Sequence, residues 1–124
     1  MKFFRSILFF IAFVIASLQS YAADVCVVSR ESGYYTSLAK HIVRWLSQQS
    51  IKSDFASKDD LSKALATAKM AFLVGYSEVT EAEMKEIRNF RSRGGRLVVF
   101  YSSAPKLASL MGVKCLGYKA AEYP

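Results

Sequence analysis

Three short runs of nearly continuous apolar residues alternate with longer stretches whose apolar positions recur at helical spacing. The runs are Asp24-Val25-Cys26-Val27-Val28-Ser29, Met70-Ala71-Phe72-Leu73-Val74-Gly75 and Leu97-Val98-Val99-Phe100-Tyr101. A run of this length, with no polar alternation, predicts a parallel strand buried on both faces. Between the first two runs, Leu38, Ile42, Trp45 and Leu46 fall at i, i+4, i+7 and i+8, which predicts a helix from about Tyr34 to Gln49 with one buried stripe. His41 falls at the edge of that stripe, as a half-buried residue.

Ile51–Ala56 is more polar and predicts a strand at the sheet edge. Ser57, with Asp60 three residues on, predicts the cap of a second helix that buries Leu61, Ala64, Leu65 and Ala68. Thr80 and Glu83 form a capping box, with Val79 and Met84 placed as a hydrophobic staple. The helix they open buries Met84, Ile87 and Phe90 and stops at Gly94, a residue suited to the left-handed position past a helix end. Pro105 opens a short helix carrying Leu107, Leu110 and Met111, closed by Gly112, and Val113–Tyr118 is expected to begin another strand.

Strands alternating with helices predict an α/β protein, a three-layer arrangement around a parallel sheet with right-handed crossovers. The expected strand order is 2-1-3-4, that of flavodoxin-like folds, with Leu97–Tyr101 as a third buried strand. The stop at Pro124 fits either a minimal version of this fold or the amino-terminal part of a larger protein.

Composition places the chain among globular proteins: 124 residues, 52% hydrophobic and 22% charged, enough for one domain. Part of that apolar content lies in residues 1–22, which have the parts of a secretory signal. Lys2 and Arg5 precede an apolar run from Ile7 to Leu18, and Ser20-Tyr21-Ala22 supplies small residues for cleavage. The expected domains are therefore a signal peptide over 1–22 and an exported domain over 23–124, periplasmic or extracellular after cleavage near Ala22. The membrane is met only through the signal. The net charge is +7, of which Lys2 and Arg5 contribute two. Three of the cluster Arg88, Arg91, Arg93 and Arg96 lie at a helix carboxyl end, where cations complement the dipole, so no nucleic-acid partner is expected.

Cys26 and Cys115 are read as two buried thiols, with one disulfide left open. With His41 as the lone histidine they do not make a metal site, and no cofactor is expected. By position, Ser102 is the candidate nucleophile, but a serine needs a base, and turn or capping roles account for Ser102 and Ser103 ahead of Pro105. Arg30, Glu31, Ser32 and Gly33 follow the first strand and form a candidate loop for an anionic ligand. Tyr34, Tyr35, Tyr76, Tyr101 and Tyr118 lie near element ends, where aromatic rings stack on sugars or on a protein partner; Tyr76, Tyr101 and Ser103 join the candidate ligand-binding set.

The strand Met70–Gly75, the helix capped at Thr80, the Arg93-Gly94-Gly95-Arg96-Leu97-Val98-Val99 stretch and the approach to Ser102 resemble class I glutamine amidotransferase-like domains. The likeness runs over the mature chain. It is greatest to non-catalytic relatives, the trimerisation domains of certain β-galactosidases and domains of exported glycoside-hydrolase-like proteins. The resemblance implies a flavodoxin-like fold, self-association or a protein partner, and a carbohydrate context. It does not carry over the amidotransferase reaction. About Ser102 stands where active members have a cysteine, and Phe100 and Ala104 stand where their turn has glycines. The expected function is thus a non-catalytic exported domain for association or ligand recognition. The alternatives are a hydrolase at the Ser102 turn, or anion binding at Ser29–Gly33.

Overall fold

Burial of the first and third strands on both faces sets the architecture. The computed structural model describes residues 23–116 and contains a four-stranded parallel sheet in the order β2-β1-β3-β4. The strands are β1 (Val25–Ser29), β2 (Ser53–Ser57), β3 (Met70–Val74) and β4 (Arg96–Phe100). The helices are α1 (Tyr34–Gln48), α2 (Leu61–Thr67), α3 (Glu81–Ser92) and α4 (Pro105–Leu110). The fold is the expected three-layer α/β arrangement, with the expected strand order. The expected signal peptide lies outside the described residues.

Alternate strand residues feed two cores. Val25, Val27, Val74 and Phe72 pack with Ala39, Leu46, Leu38 and Ile42 on the α1 face. Cys26, Val28, Ala71 and Leu73 pack with Leu61, Leu65, Ile87, Phe90 and Leu107 on the face covered by α2, α3 and α4. Val27, Val28, Leu73 and Val74 are wholly inaccessible, and each such side chain contributes about 1.5–3 kcal/mol of transfer free energy.

The capping box forms as predicted. Glu83 N–H donates to Thr80 Oγ1 at 3.2 Å, and Thr80 N–H donates to Glu83 Oε2 at 2.7 Å. Gly94 takes a left-handed φ of 93° just past α3. Pro105 occupies the first turn of α4.

Five expectations need correction. β4 is half-buried rather than buried, because the described sheet ends there and α1 packs mainly on β1, β2 and β3. Trp45 is 54% exposed: the stripe on α1 is narrower than its spacing suggested, and Ala39 and Leu46 carry its buried contact. Ser57 does not cap a helix; a 3₁₀ turn over Lys58–Asp60 intervenes, and the Ser57 hydroxyl bonds the Asp60 carboxylate at 3.4 Å. Residues 113–116 form no strand, and the rest of that expected segment lies outside the described residues. Cys115 is exposed, because the chain past Gly112 runs over the surface.

Both cysteines are free thiols. Burial pushes the Cys26 thiol up to about 11, so it carries almost no thiolate near neutrality. At pH 8 one thiol per chain should react rapidly with Ellman's reagent, and Cys115→Ser should abolish that phase. The second thiol should react only on unfolding; rapid titration of both in the native protein would contradict the burial of Cys26.

Candidate functional site

The strand order reverses between β1 and β3, so the crevice at their carboxyl ends is where an open α/β sheet ordinarily takes a ligand. Three turns meet there: Arg30–Gly33 after β1, Gly75–Thr80 after β3, and Tyr101–Ala104 after β4. The chain fills this crevice with its own groups. Arg30 N–H donates to Val74 O at 3.2 Å, while Arg30 Nε lies 3.3 Å from Glu83 Oε1. Both side chains of this ion pair are largely shielded, so Glu83 caps α3 and anchors the β1 loop at once. Ser29 Oγ and Thr36 Oγ1 both donate to the Glu31 carbonyl, at 2.7 and 3.1 Å, and Ser77 Oγ donates to the Glu31 carboxylate.

That arrangement gives little to an anion. The loop's cation is committed to Glu83, and the Glu31 carboxylate brings negative charge to the approach to α1. Ser32 and Gly33 are exposed, and Gly33 turns into α1 with φ 72° and no side-chain cap.

Gly75 shows why the turn after β3 is tight. Its φ is 70°, and a Cβ there would fall 2.6 Å from the Tyr35 ring. Tyr35 is thereby seated over the β3 turn, and its ring centroid lies 5.5 Å from that of Tyr34 and 6.1 Å from that of Tyr101. Tyr34 and Tyr101 are about two-thirds exposed. Their rings are inclined at 76° and 53° to Tyr35, so the cluster is a notched rim rather than a flat shelf.

Tyr76 does not belong to that rim. It is completely buried in the core beneath α3, so it cannot stack on a ligand with Tyr101. Its hydroxyl has no hydrogen-bond partner among the described residues, an arrangement that costs about 1–3 kcal/mol. Burial, reinforced by the nearby Glu83 charge, holds the phenol well above its ordinary pKa and therefore neutral.

The Ser102 turn is held by backbone. Ser102 Oγ donates to Tyr76 O at 2.6 Å and accepts from Ala104 N–H at 3.3 Å. No described histidine or carboxylate hydrogen-bonds to it. His41 is an exposed residue of α1, correcting its expected half-burial, and α1 covers the opposite face of the sheet from α4. The strained backbone position is the residue before it: Tyr101 has φ 51°, a left-handed conformation unusual for a bulky side chain. A phenol thus stands at the bend where a nucleophile elbow would hold its reacting group. Ser103 is exposed, and its carbonyl lies 3.8 Å from Cys115 Sγ.

A second region was not singled out in the sequence. Along β4, Phe100 is 37% exposed and stacks on Phe72 with ring centroids 5.9 Å apart, on the α1 face of the sheet but beyond the strands on which that helix mainly packs among the described residues. On the other face a groove of about 430 Å³ is lined by Val99, Tyr101, Leu107, Met111 and Val113. A second, of about 310 Å³, is lined by Arg91, Gly95, Arg96, Leu97 and Met111. Periodicity offers no signal for such a site, because an apolar strand reads the same at an edge as in a core.

No protein-family model matches the chain, and no curated protein does. Among solved structures, the crystal structure of a β-galactosidase from Bifidobacterium adolescentis is similar, with a TM-score of 0.58 and 16% identity. The match covers 75% of this chain and 54% of that one, so the likeness spans about half of the β-galactosidase chain. It is a likeness of fold.

Glu83→Ala should remove half of the capping box and leave Arg30 without its partner. Thermal or urea denaturation should show a loss of about 2 kcal/mol or more. A loss below about 0.5 kcal/mol would mean that the crevice is not held shut by this carboxylate.

Proposed function

We propose that this chain is an exported, non-catalytic α/β domain of the amidotransferase-like type, acting by protein association beside carbohydrate-acting proteins. One observation carries the reading: β4, at an edge of the described sheet, keeps its apolar side chains half in solvent and is flanked by grooves. Contiguous exposed apolar surface of this kind marks an association site. The two described sheet edges differ in character. β2, Ser53-Asp54-Phe55-Ala56-Ser57, is polar and carries a charge, as edges that avoid pairing do. β4, Arg96-Leu97-Val98-Val99-Phe100, has no such protection beyond its first residue.

Three further points support the reading. The crevice is occupied by the Arg30–Glu83 pair, and the Ser102 hydroxyl is spent on backbone groups. The structural likeness to a β-galactosidase agrees with a carbohydrate context. Residues 1–22 have the composition of an export signal.

Light scattering on the purified protein should give a mass above the monomer's at micromolar concentration, and Val98→Lys should return it to the monomer with an unchanged circular-dichroism spectrum. A monomeric wild type that also fails to pair with carbohydrate-acting proteins of the same exported compartment would sink the association reading. Expressed with its own leader, the mature protein should begin at Ala23 by intact mass; a retained Met1 would overturn export by cleavage.

A further inference from the structure

We propose that the partner at β4 is a second copy of this chain, paired antiparallel, with Val98 on the two-fold axis. The proposal rests on the association reading above and names its partner and its register.

Backbone geometry selects the register. Arg96 N–H donates to Lys69 O at 3.0 Å and Phe100 O accepts from Gly75 N–H at 3.1 Å, so both residues direct their backbone groups toward β3. In a parallel ladder alternate residues face alternate neighbours, which leaves the N–H and C=O groups of Leu97 and Val99 on the outer edge. With the axis at Val98, Leu97 lies opposite Val99 of the second copy and exchanges both hydrogen bonds with it. Symmetry repeats the pair, and all outward groups of both residues are used.

Neighbouring registers do worse. An axis at Leu97 sets Val99 opposite Gly95, whose N–H is already given to Phe90 O at 2.9 Å. An axis at Val99 sets Leu97 opposite Tyr101, which at φ 51° has left the extended conformation a ladder needs.

Side chains agree with the same register. Arg96, Val98 and Phe100 share the α1 face of the sheet, at the strand beyond that helix's main contacts among the described residues. Pairing about Val98 puts each Arg96 across from Phe100 of the other copy, a cation facing an aromatic ring, and keeps the two Arg96 charges at opposite ends. On the other face, the axis runs perpendicular to the sheet and brings both copies of α4 to the same side. There the exposed Met111 and Val113 border the grooves beside β4 and gain an apolar counterpart. The contact is isologous and closes at two copies.

Disulfide trapping tests the register. Residues on the axis form a non-hydrogen-bonded pair with Cα atoms about 4.5 Å apart, within the span of a disulfide. Val98→Cys, in a Cys115→Ser background and expressed from the full coding sequence, should crosslink to a dimer under mild oxidation. Its rate should exceed that of a Lys63→Cys control by about tenfold or more. Should Val98→Cys perturb folding, mixed Arg96→Cys and Phe100→Cys chains, altered at exposed positions, should crosslink to each other faster than either does to itself. A dimer by light scattering that neither design traps overturns this register and leaves the association reading standing. A wild type that is monomeric to millimolar concentration overturns the second copy as partner. If it then pairs with an exported carbohydrate-acting protein, the association reading survives; if it pairs with none, that reading falls too.

Discussion

Two-sided burial of β1 and β3 is the constraint on which the rest of the structure depends. A strand whose side chains are nearly all apolar cannot present either face to water, so helices must lie on both sides. Alternation along each strand then divides the core into the α1 layer and the layer of α2, α3 and α4. Cover runs out toward β4. Among the described residues, one helix on one face packs mainly across β1, β2 and β3, and the fourth strand is left with apolar side chains half in solvent. The exposed edge is therefore a consequence of how the helices are distributed, and not of any peculiarity in β4 itself.

The same topology places a crevice between the carboxyl ends of β1 and β3, and there the chain behaves differently from an open binding fold. Glu83 serves two elements at once, capping α3 and pairing with Arg30. A carboxylate and guanidinium removed from water are held by each other and by the backbone around them, and moving either to admit a ligand would leave the other unpaired. Tyr76 beneath them has a buried hydroxyl with no described partner, a cost the packing of its ring offsets. A region so filled is suited to holding loops in place.

Much of this was legible in the order of residues, for identifiable reasons. The apolar runs of β1 and β3, the Thr80–Glu83 box and Gly94 each encode their structure locally, so the strand order and helix limits followed. What local pattern does not contain is the extent of cover. Leu97–Tyr101 has the same texture as Met70–Gly75, yet one stands at an edge and the other at the centre. Trp45 and Tyr76 show the same limit in single residues. The tryptophan falls on the helical stripe but beyond the packed surface, and the tyrosine lies just past a strand end but under α3. Left-handed backbone at Tyr101 is likewise invisible to pattern, because a bulky side chain carries no signature of it.

That strain connects the turn to the edge. Backbone held at φ 51° in a tyrosine persists where surrounding contacts over-determine it, and two such contacts are visible. Ser102 ties the turn to Tyr76 through its hydroxyl, and the Tyr101 ring packs toward Tyr35, which in turn sits on Gly75. The turn ends β4 abruptly at Phe100, limits any ladder on the outer edge to the residues before it, and sends the chain into α4 beside the grooves. A bend of the kind that would expose a nucleophile in an enzyme here delimits a strand. The serine next to it, deprived of any described base, contributes hydrogen bonds that fix where the edge stops. What the turn controls is the length and register of an exposed strand, which is the property an association surface requires.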